Sequence, residues 1–222
     1  MTRRARILLV ILLAAPVAFV AQQFVATLRA LTVIERERDT WQRPDDVLAP
    51  LRLAPGSTVV DLGSGAGYFA LKMAPRVAPR GRVLAVDLRR LSLTFLRVRA
   101  LLLGHRNLDV VHGDAGDPRL PEGVVVDAVL MANTYHELTA PEPVLRALFS
   151  SMRPGARLVV LDRAPRNEDG SRAEAAAHHE ATPAAAEREI SRQRFRIVSR
   201  DDRFIDRATD EDVWWLAVFE RP

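Results

Sequence analysis

The chain has 222 residues, no cysteine and a formal net charge of +4. That length suits one domain with a sizeable core and little more, and the missing cysteines exclude disulfides, thiolate metal sites and a cysteine nucleophile. The positive balance does not single out nucleic acid as a partner: Lys72 is the only lysine, the arginines lie among 28 acidic residues, and no stacking aromatics are interleaved with them.

At the N-terminus, Arg3, Arg4 and Arg6 precede the uncharged run Ile7 to Ala21, and apolar character resumes past Gln22 and Gln23 as far as Leu28. Small residues at the spacing of a cleavage site are missing, since Phe19 stands two before Ala21 and Pro16 two before Ala18. Ile7 to Leu28 is long enough as a helix to span a hydrocarbon core of about 30 Å, so an uncleaved, single-pass membrane anchor is expected. Arginines flank both of its ends, and the positive-inside rule sets no orientation. The expected division is an anchor over residues 1–30, a helical connector over 31–50 and a globular domain over 51–222.

Pro44 suits the start of a short helix reaching about Leu51. Beyond it, apolar β-branched runs alternate with helical stretches. Strands are predicted at Thr58 to Leu62, Arg82 to Asp87, Leu108 to His112, Val125 to Ala132 and Arg157 to Asp162, with helices at Tyr68 to Val77, Ser92 to Leu103 and Pro143 to Met152. That alternation predicts an α/β fold, a doubly wound and mostly parallel sheet covered on both faces. Asn167 to Ala176 reads as a polar loop running into a helix, followed by a helix at Pro183 to Arg192. Phe195 to Arg203 and Val213 to Glu220 then read as two strands that pair antiparallel and complete a seven-stranded sheet.

Chemistry concentrates at the carboxyl ends of the predicted strands. Val59-Val60-Asp61-Leu62-Gly63-Ser64-Gly65-Ala66-Gly67 places glycines at alternate positions behind an acid, a turn in which the backbone can close tightly on a ligand. Asp87 closes the second strand about twenty residues further on, where an acid can take two ribose hydroxyls. Asp114 follows the third strand. The fourth strand turns abruptly polar at Asn133-Thr134-Tyr135-His136-Glu137.

The G-x-G-x-G run behind Asp61, with Asp87 and Asp114 at the next two strand ends, resembles the cofactor motifs of the class I, Rossmann-like methyltransferases that use S-adenosylmethionine (SAM). Trp41-Gln42-Arg43-Pro44-Asp45 and the Asn-Thr-Tyr-His-Glu run resemble a bacterial group of small-molecule methyltransferases. The resemblance covers about Trp41 to Arg221 and implies an antiparallel strand at the carboxyl end of the sheet. It assigns the ribose to Asp87, the adenine amino group to Asp114, and the methionine end to Asp61 and Asn133. Gly63, Ser64, Gly65, Gly67, Leu88 and Ala115 join these as expected cofactor contacts. Tyr135 and His136 are expected to face the methyl acceptor, with a neutral His136 imidazole able to take a proton. The pair His178 and His179 near Glu180 carries metal-type side chains, but adjacent residues on a helix diverge, so no metal is expected.

The sequence therefore predicts a membrane-tethered, SAM-dependent methyltransferase acting on a small, hydrophobic or membrane-associated acceptor by in-line transfer. Its catalytic domain is expected on the cytoplasmic side, where SAM is supplied. The rival is a SAM-binding sensor or partner module that no longer catalyses, and a nicotinamide-dependent oxidoreductase is disfavoured by the glycine spacing.

Overall fold

A computed structural model describes residues 3–166, 172–207 and 212–222, which divide between Trp41 and Gln42 into two compact units. The first unit is helix α1, Arg3–Trp41, with Pro16 inside it. One helix thus runs through both the expected anchor and the expected connector. Among the described residues no helix is long and apolar enough to cross a membrane, so the expected span from Ile7 to Leu28 is not supported. Pro16 and the Gln22-Gln23 pair break its apolar run, and charged residues crowd the same helix from Arg29 onward.

The second unit opens with helix α2, Pro44–Leu48, and a 3-10 turn, Ala49–Leu51. Seven strands follow: β1 Thr58–Leu62, β2 Arg82–Asp87, β3 Leu108–His112, β4 Val126–Ala132, β5 Met152–Arg163, β6 Arg196–Arg207 and β7 Asp212–Glu220. Helices α3 Tyr68–Val77, α4 Arg90–Leu102 and α5 Pro141–Ser151 occupy the crossovers, and α6 Arg172–Ala177 and α7 Pro183–Arg192 precede the last two strands. Residues 167–171 of the expected polar loop lie outside the described residues. The bounds of β1, β2, β3, α3 and α7 coincide with those predicted from sequence.

The strands lie in the order β3-β2-β1-β4-β5-β7-β6. β1 to β5 pair in parallel, while β7 pairs antiparallel with both β5 and β6. Parallel strands buried on both faces need continuous apolar runs, and Val59-Val60, Val83 to Val86 and Ala128 to Met131 are all buried. The same physics decides which late strand takes the sheet's edge. β7 carries Trp214-Trp215-Leu216-Ala217-Val218-Phe219, all buried, and lies inside; β6 carries Arg196, Arg200, Asp201, Asp202 and Arg203, is mostly exposed, and forms the edge. Charge on an edge strand also blocks pairing with other chains.

Asp212, almost fully buried at the start of β7, holds this region to its neighbours, with Oδ1 2.7 Å from Arg163 Nε of β5 and Oδ2 3.4 Å from Arg207 Nη1 of β6. Burial alone would push its carboxyl up, but hydrogen bonds from Arg163 and Trp214 and the charges of Arg163 and Arg207 outweigh that and hold it below the usual carboxylate range. A carboxyl depressed in the folded state stabilises the fold above its unfolded pKa of about 4, and that contribution disappears as pH falls through the lower folded value. Denaturant unfolding at pH 7 and at pH 3 is therefore expected to show a smaller loss of stability on acidification for Asp212→Asn than for the parent chain.

The sheet reverses its winding between β1 and β4, since β2 and β3 extend to one side and β5 to the other. Ligands of open α/β sheets bind at the carboxyl ends of the strands beside such a switch point. The Gly-rich turn after β1 and the polar turn after β4 are the two segments placed there.

Candidate active site

The turn after β1 runs through three left-handed glycines, Gly63 (φ 75°), Gly65 (φ 53°) and Gly67 (φ 98°). Gly63 N and Ser64 N both donate to Val86 O, at 2.8 and 3.0 Å, which folds the turn over the end of β2. Gly63 has a second reason to lack a side chain: a Cβ there would lie 2.1 Å from Thr134 Oγ1, in the turn after β4. A Cβ on Gly65 would meet nothing within 4 Å, so the turn leaves open space above its middle. Beneath it, Asp61 is buried at the end of β1, and Ser64 Oγ is buried with no hydrogen-bond partner among the described residues.

Asp87 closes β2 and accepts from two backbone groups, Gly65 N at 2.8 Å on Oδ2 and Arg89 N at 2.7 Å on Oδ1. Each carboxylate oxygen can accept more than one hydrogen bond, so Asp87 can order the turn and still receive a ligand's hydroxyls. Asp114 pairs with Arg119, Nη2 to Oδ2 2.8 Å. A cleft of about 590 Å³, including its open mouth, brings together Gly63, Asp87, Leu88, Asp114 and Ala115 of the expected cofactor set. Asp61, Ser64, Gly65, Gly67 and Asn133 lie outside its lining. Asn133 is exposed at the end of β4 in a left-handed conformation (φ 57°), which asparagine tolerates. Arg89, Thr134, Glu137 and Leu138 line the cleft although none of them was among the expected site residues.

His136 and Tyr135 part company in the 3-10 turn Tyr135–Glu137. The Tyr135 ring is fully buried in the core, and its hydroxyl donates to Glu189 Oε2 of α7 at 2.5 Å, so its tip points into the fold. His136 is also buried, but it belongs to a polar cluster. Its Nδ1 lies 2.8 Å from Asp162 Oδ1, and its backbone N donates to Asp162 Oδ2 at 3.0 Å. A carboxylate only accepts, so Asp162 holds the proton on Nδ1 and leaves the Nε2 lone pair outward. His179 Nδ1 lies 3.2 Å from that Nε2. Parallel pairing of β4 with β5 sets Ala132 opposite Leu161, which carries Asp162 to the foot of the turn that holds His136. Asp162 is thus a fourth acid closing a strand, the same signal that marked Asp61, Asp87 and Asp114.

The donor set suits SAM: an open glycine turn, buried Asp61 and an orphaned Ser64 hydroxyl at one end, acids at the next two strand ends, and apolar walls from Leu62, Val86 and Leu138. The fold is that of the class I, Rossmann-like methyltransferases. A family profile described as a methyltransferase domain matches residues 53–209, and the chain belongs to that family. It is 32% identical over 123 residues to the ubiquinone/menaquinone biosynthesis C-methyltransferase UbiE of Ectopseudomonas mendocina, an alignment covering 55% of this chain and 47% of that one. The chain thus spans about half the length of the curated relatives it matches. A SAM-dependent methyltransferase from Aquifex aeolicus superposes with a TM-score of 0.68 at 22% identity, covering 81% of this chain and 89% of that one. The geranyl diphosphate C-methyltransferase of Streptomyces coelicolor A3(2), solved with Mg²⁺, geranyl diphosphate and S-adenosylhomocysteine, gives 0.67 at 16% identity over 82% and 79% of the two chains. At these identities the two structures speak for the fold.

Proposed function

We propose that this methyltransferase alkylates a small acceptor with an apolar body, which enters the cleft beside the Tyr135–Glu137 turn. The observation that carries the reading is the convergence of Gly63, Asp87, Leu88, Asp114 and Ala115 on one cleft at the sheet's switch point. In this reading Asp87 takes the ribose, Asp114 takes the adenine amino group through the oxygen not paired with Arg119, and Asp61 with the glycine turn takes the methionine end. Bound there, SAM supplies a sulfonium methyl: the acceptor's electron pair forms the new bond as the C–S bond breaks, and S-adenosylhomocysteine leaves with the electrons of that bond.

The chain's own residues position the reactants and hold the acceptor's proton. His136 Nε2 is the basic atom of the acceptor side, fixed by Asp162, and His179 connects it to solvent. Tyr135 serves this arrangement by packing rather than by meeting the acceptor. UbiE is named a C-methyltransferase of ubiquinone/menaquinone biosynthesis and the Streptomyces enzyme a geranyl diphosphate C-methyltransferase, which supports a small acceptor methylated on carbon here. No membrane span enters the reading, because the chemistry of the cleft selects the acceptor whatever the location of the chain.

Calorimetric titration of the full-length chain with SAM and S-adenosylhomocysteine tests the assignment. Asp87→Ala is expected to weaken both by about tenfold to a hundredfold, equivalent to losing one or two charge-assisted hydrogen bonds. Unchanged affinity in that variant overturns the role of Asp87. Tight cofactor binding without turnover on any small-molecule extract favours the non-catalytic module instead.

A further inference from the structure

The geometry points to a divalent transition-metal site formed by His136 Nε2, His179 Nδ1 and the Glu137 carboxylate, of which Glu137 also lines the cleft. One ligand atom from each residue lies within 4.8 Å of the others. The two imidazole nitrogens are 3.2 Å apart. Nitrogens each 2.0 to 2.1 Å from one ion, at tetrahedral or octahedral angles, are separated by roughly 2.9 to 3.4 Å, so the pair already has the spacing of two ligands on one ion. The exposed Glu137 side chain closes the remaining distance by rotating away from Arg89, whose Nη2 it now meets at 2.9 Å.

Two features go beyond a chance cluster. Asp162, wholly buried, accepts from His136 Nδ1 at 2.8 Å. That carboxylate–histidine pairing fixes the ring tautomer and its aim as the supporting residues of metal sites do. His179 sits just past α6 with φ 57°, a conformation rare for a residue with a side chain. The backbone there turns it away from a helical course and toward His136. Diverging neighbours on the chain, His178 and His179, thus do not form a pair with each other, but His179 finds its partner in the turn after β4.

Two imidazoles and one carboxylate suit Zn²⁺ and its first-row neighbours better than Mg²⁺ or Ca²⁺. Three protein ligands leave positions open for an acceptor oxygen. With the ion bound, His136 Nε2 is a ligand and no longer takes the acceptor's proton; a hydroxyl or enol on the ion instead gives its proton to water, because the ion stabilises the resulting oxyanion. That consequence rests on the methyltransferase reading and narrows the acceptor to one presenting such an oxygen; the ion's binding does not depend on it.

The test is calorimetric titration of the chelator-stripped full-length chain with Zn²⁺, without SAM or acceptor, and with Co²⁺ absorption as a second readout. One equivalent is expected to bind. His179→Ala should weaken it by about a hundredfold and Glu137→Gln by about tenfold, with the exposed His178→Ala unchanged. Both affected residues are exposed, and a urea-unfolding midpoint unchanged from the parent chain shows that the variants are folded. Absence of stoichiometric Zn²⁺ binding, or binding that neither substitution alters, overturns the site; cofactor binding that persists in that case leaves the methyltransferase reading intact.

Discussion

Gly63→Ala is expected to abolish measurable SAM binding and to destabilise the domain by about 2 to 5 kcal/mol. Two costs add. A side chain in the left-handed region at φ 75° costs about 1 to 2 kcal/mol, and overpacking costs about 1 to 3 kcal/mol more. The overlap is severe because all three side-chain atoms nearest the new Cβ, at 2.1 to 2.8 Å, belong to Thr134. Thr134 is buried and β-branched, its Oγ1 donates to Ala132 O at 3.1 Å, and it has little freedom to withdraw. Relief would come from shifting the turn after β4, which carries His136. Gly65→Ala is the informative comparison. Its φ of 53° imposes a similar conformational cost but its Cβ meets no atom, so it should fold with a smaller loss and still bind SAM poorly if the cofactor occupies that open space. Urea unfolding and SAM titration of both variants check this. Equal stability of Gly63→Ala and the parent chain would contradict the close approach of the two turns.

Asp162→Asn is expected to lower the rate of methyl transfer by on the order of 10²- to 10⁴-fold while leaving SAM affinity within about threefold of the parent value. An amide in place of the carboxylate presents an N–H₂ or a weaker acceptor to His136 Nδ1. The ring then favours the tautomer with its proton on Nε2, and the outward lone pair is lost. Stability should fall by about 1 to 3 kcal/mol, since Asp162 also accepts from the backbone nitrogens of His136, at 3.0 Å, and Arg163, at 2.8 Å. The imidazole ¹⁵N spectrum reads the tautomer directly, which a purely structural role for Asp162 would not move. An unchanged tautomer together with full activity would remove His136 from the reaction.

Both effects originate at contacts between segments far apart in the chain, and that is where the legibility of the sequence ended. Five of the thirteen described strands and α-helices of the second unit have the bounds that local pattern predicts, because β-branched runs, a proline at a helix start and glycine turns act over a few residues. β5 extends beyond its predicted Arg157 to Asp162, and α4 begins before Ser92, since strand pairing and packing settle element ends. Asp61, Asp87 and Asp114, the acids proposed to hold the cofactor, stand out for the same reason as the strands: they are marked by position at strand ends, and parallel pairing carries them to one edge of the sheet.

What the sequence determined by itself was the α/β alternation, the glycine turn with its acids and hence the cofactor class, together with the exclusion of cysteine chemistry. Each of these is a property of residue type at short spacing. The tertiary structure alone decided that apolar β7 lies inside the sheet and charged β6 at its edge, that Tyr135 packs inward against α7, and that His136 stands between Asp162 and His179. Those outcomes depend on which buried surfaces and hydrogen-bonding groups meet after the chain has crossed the sheet, and no local periodicity encodes such meetings.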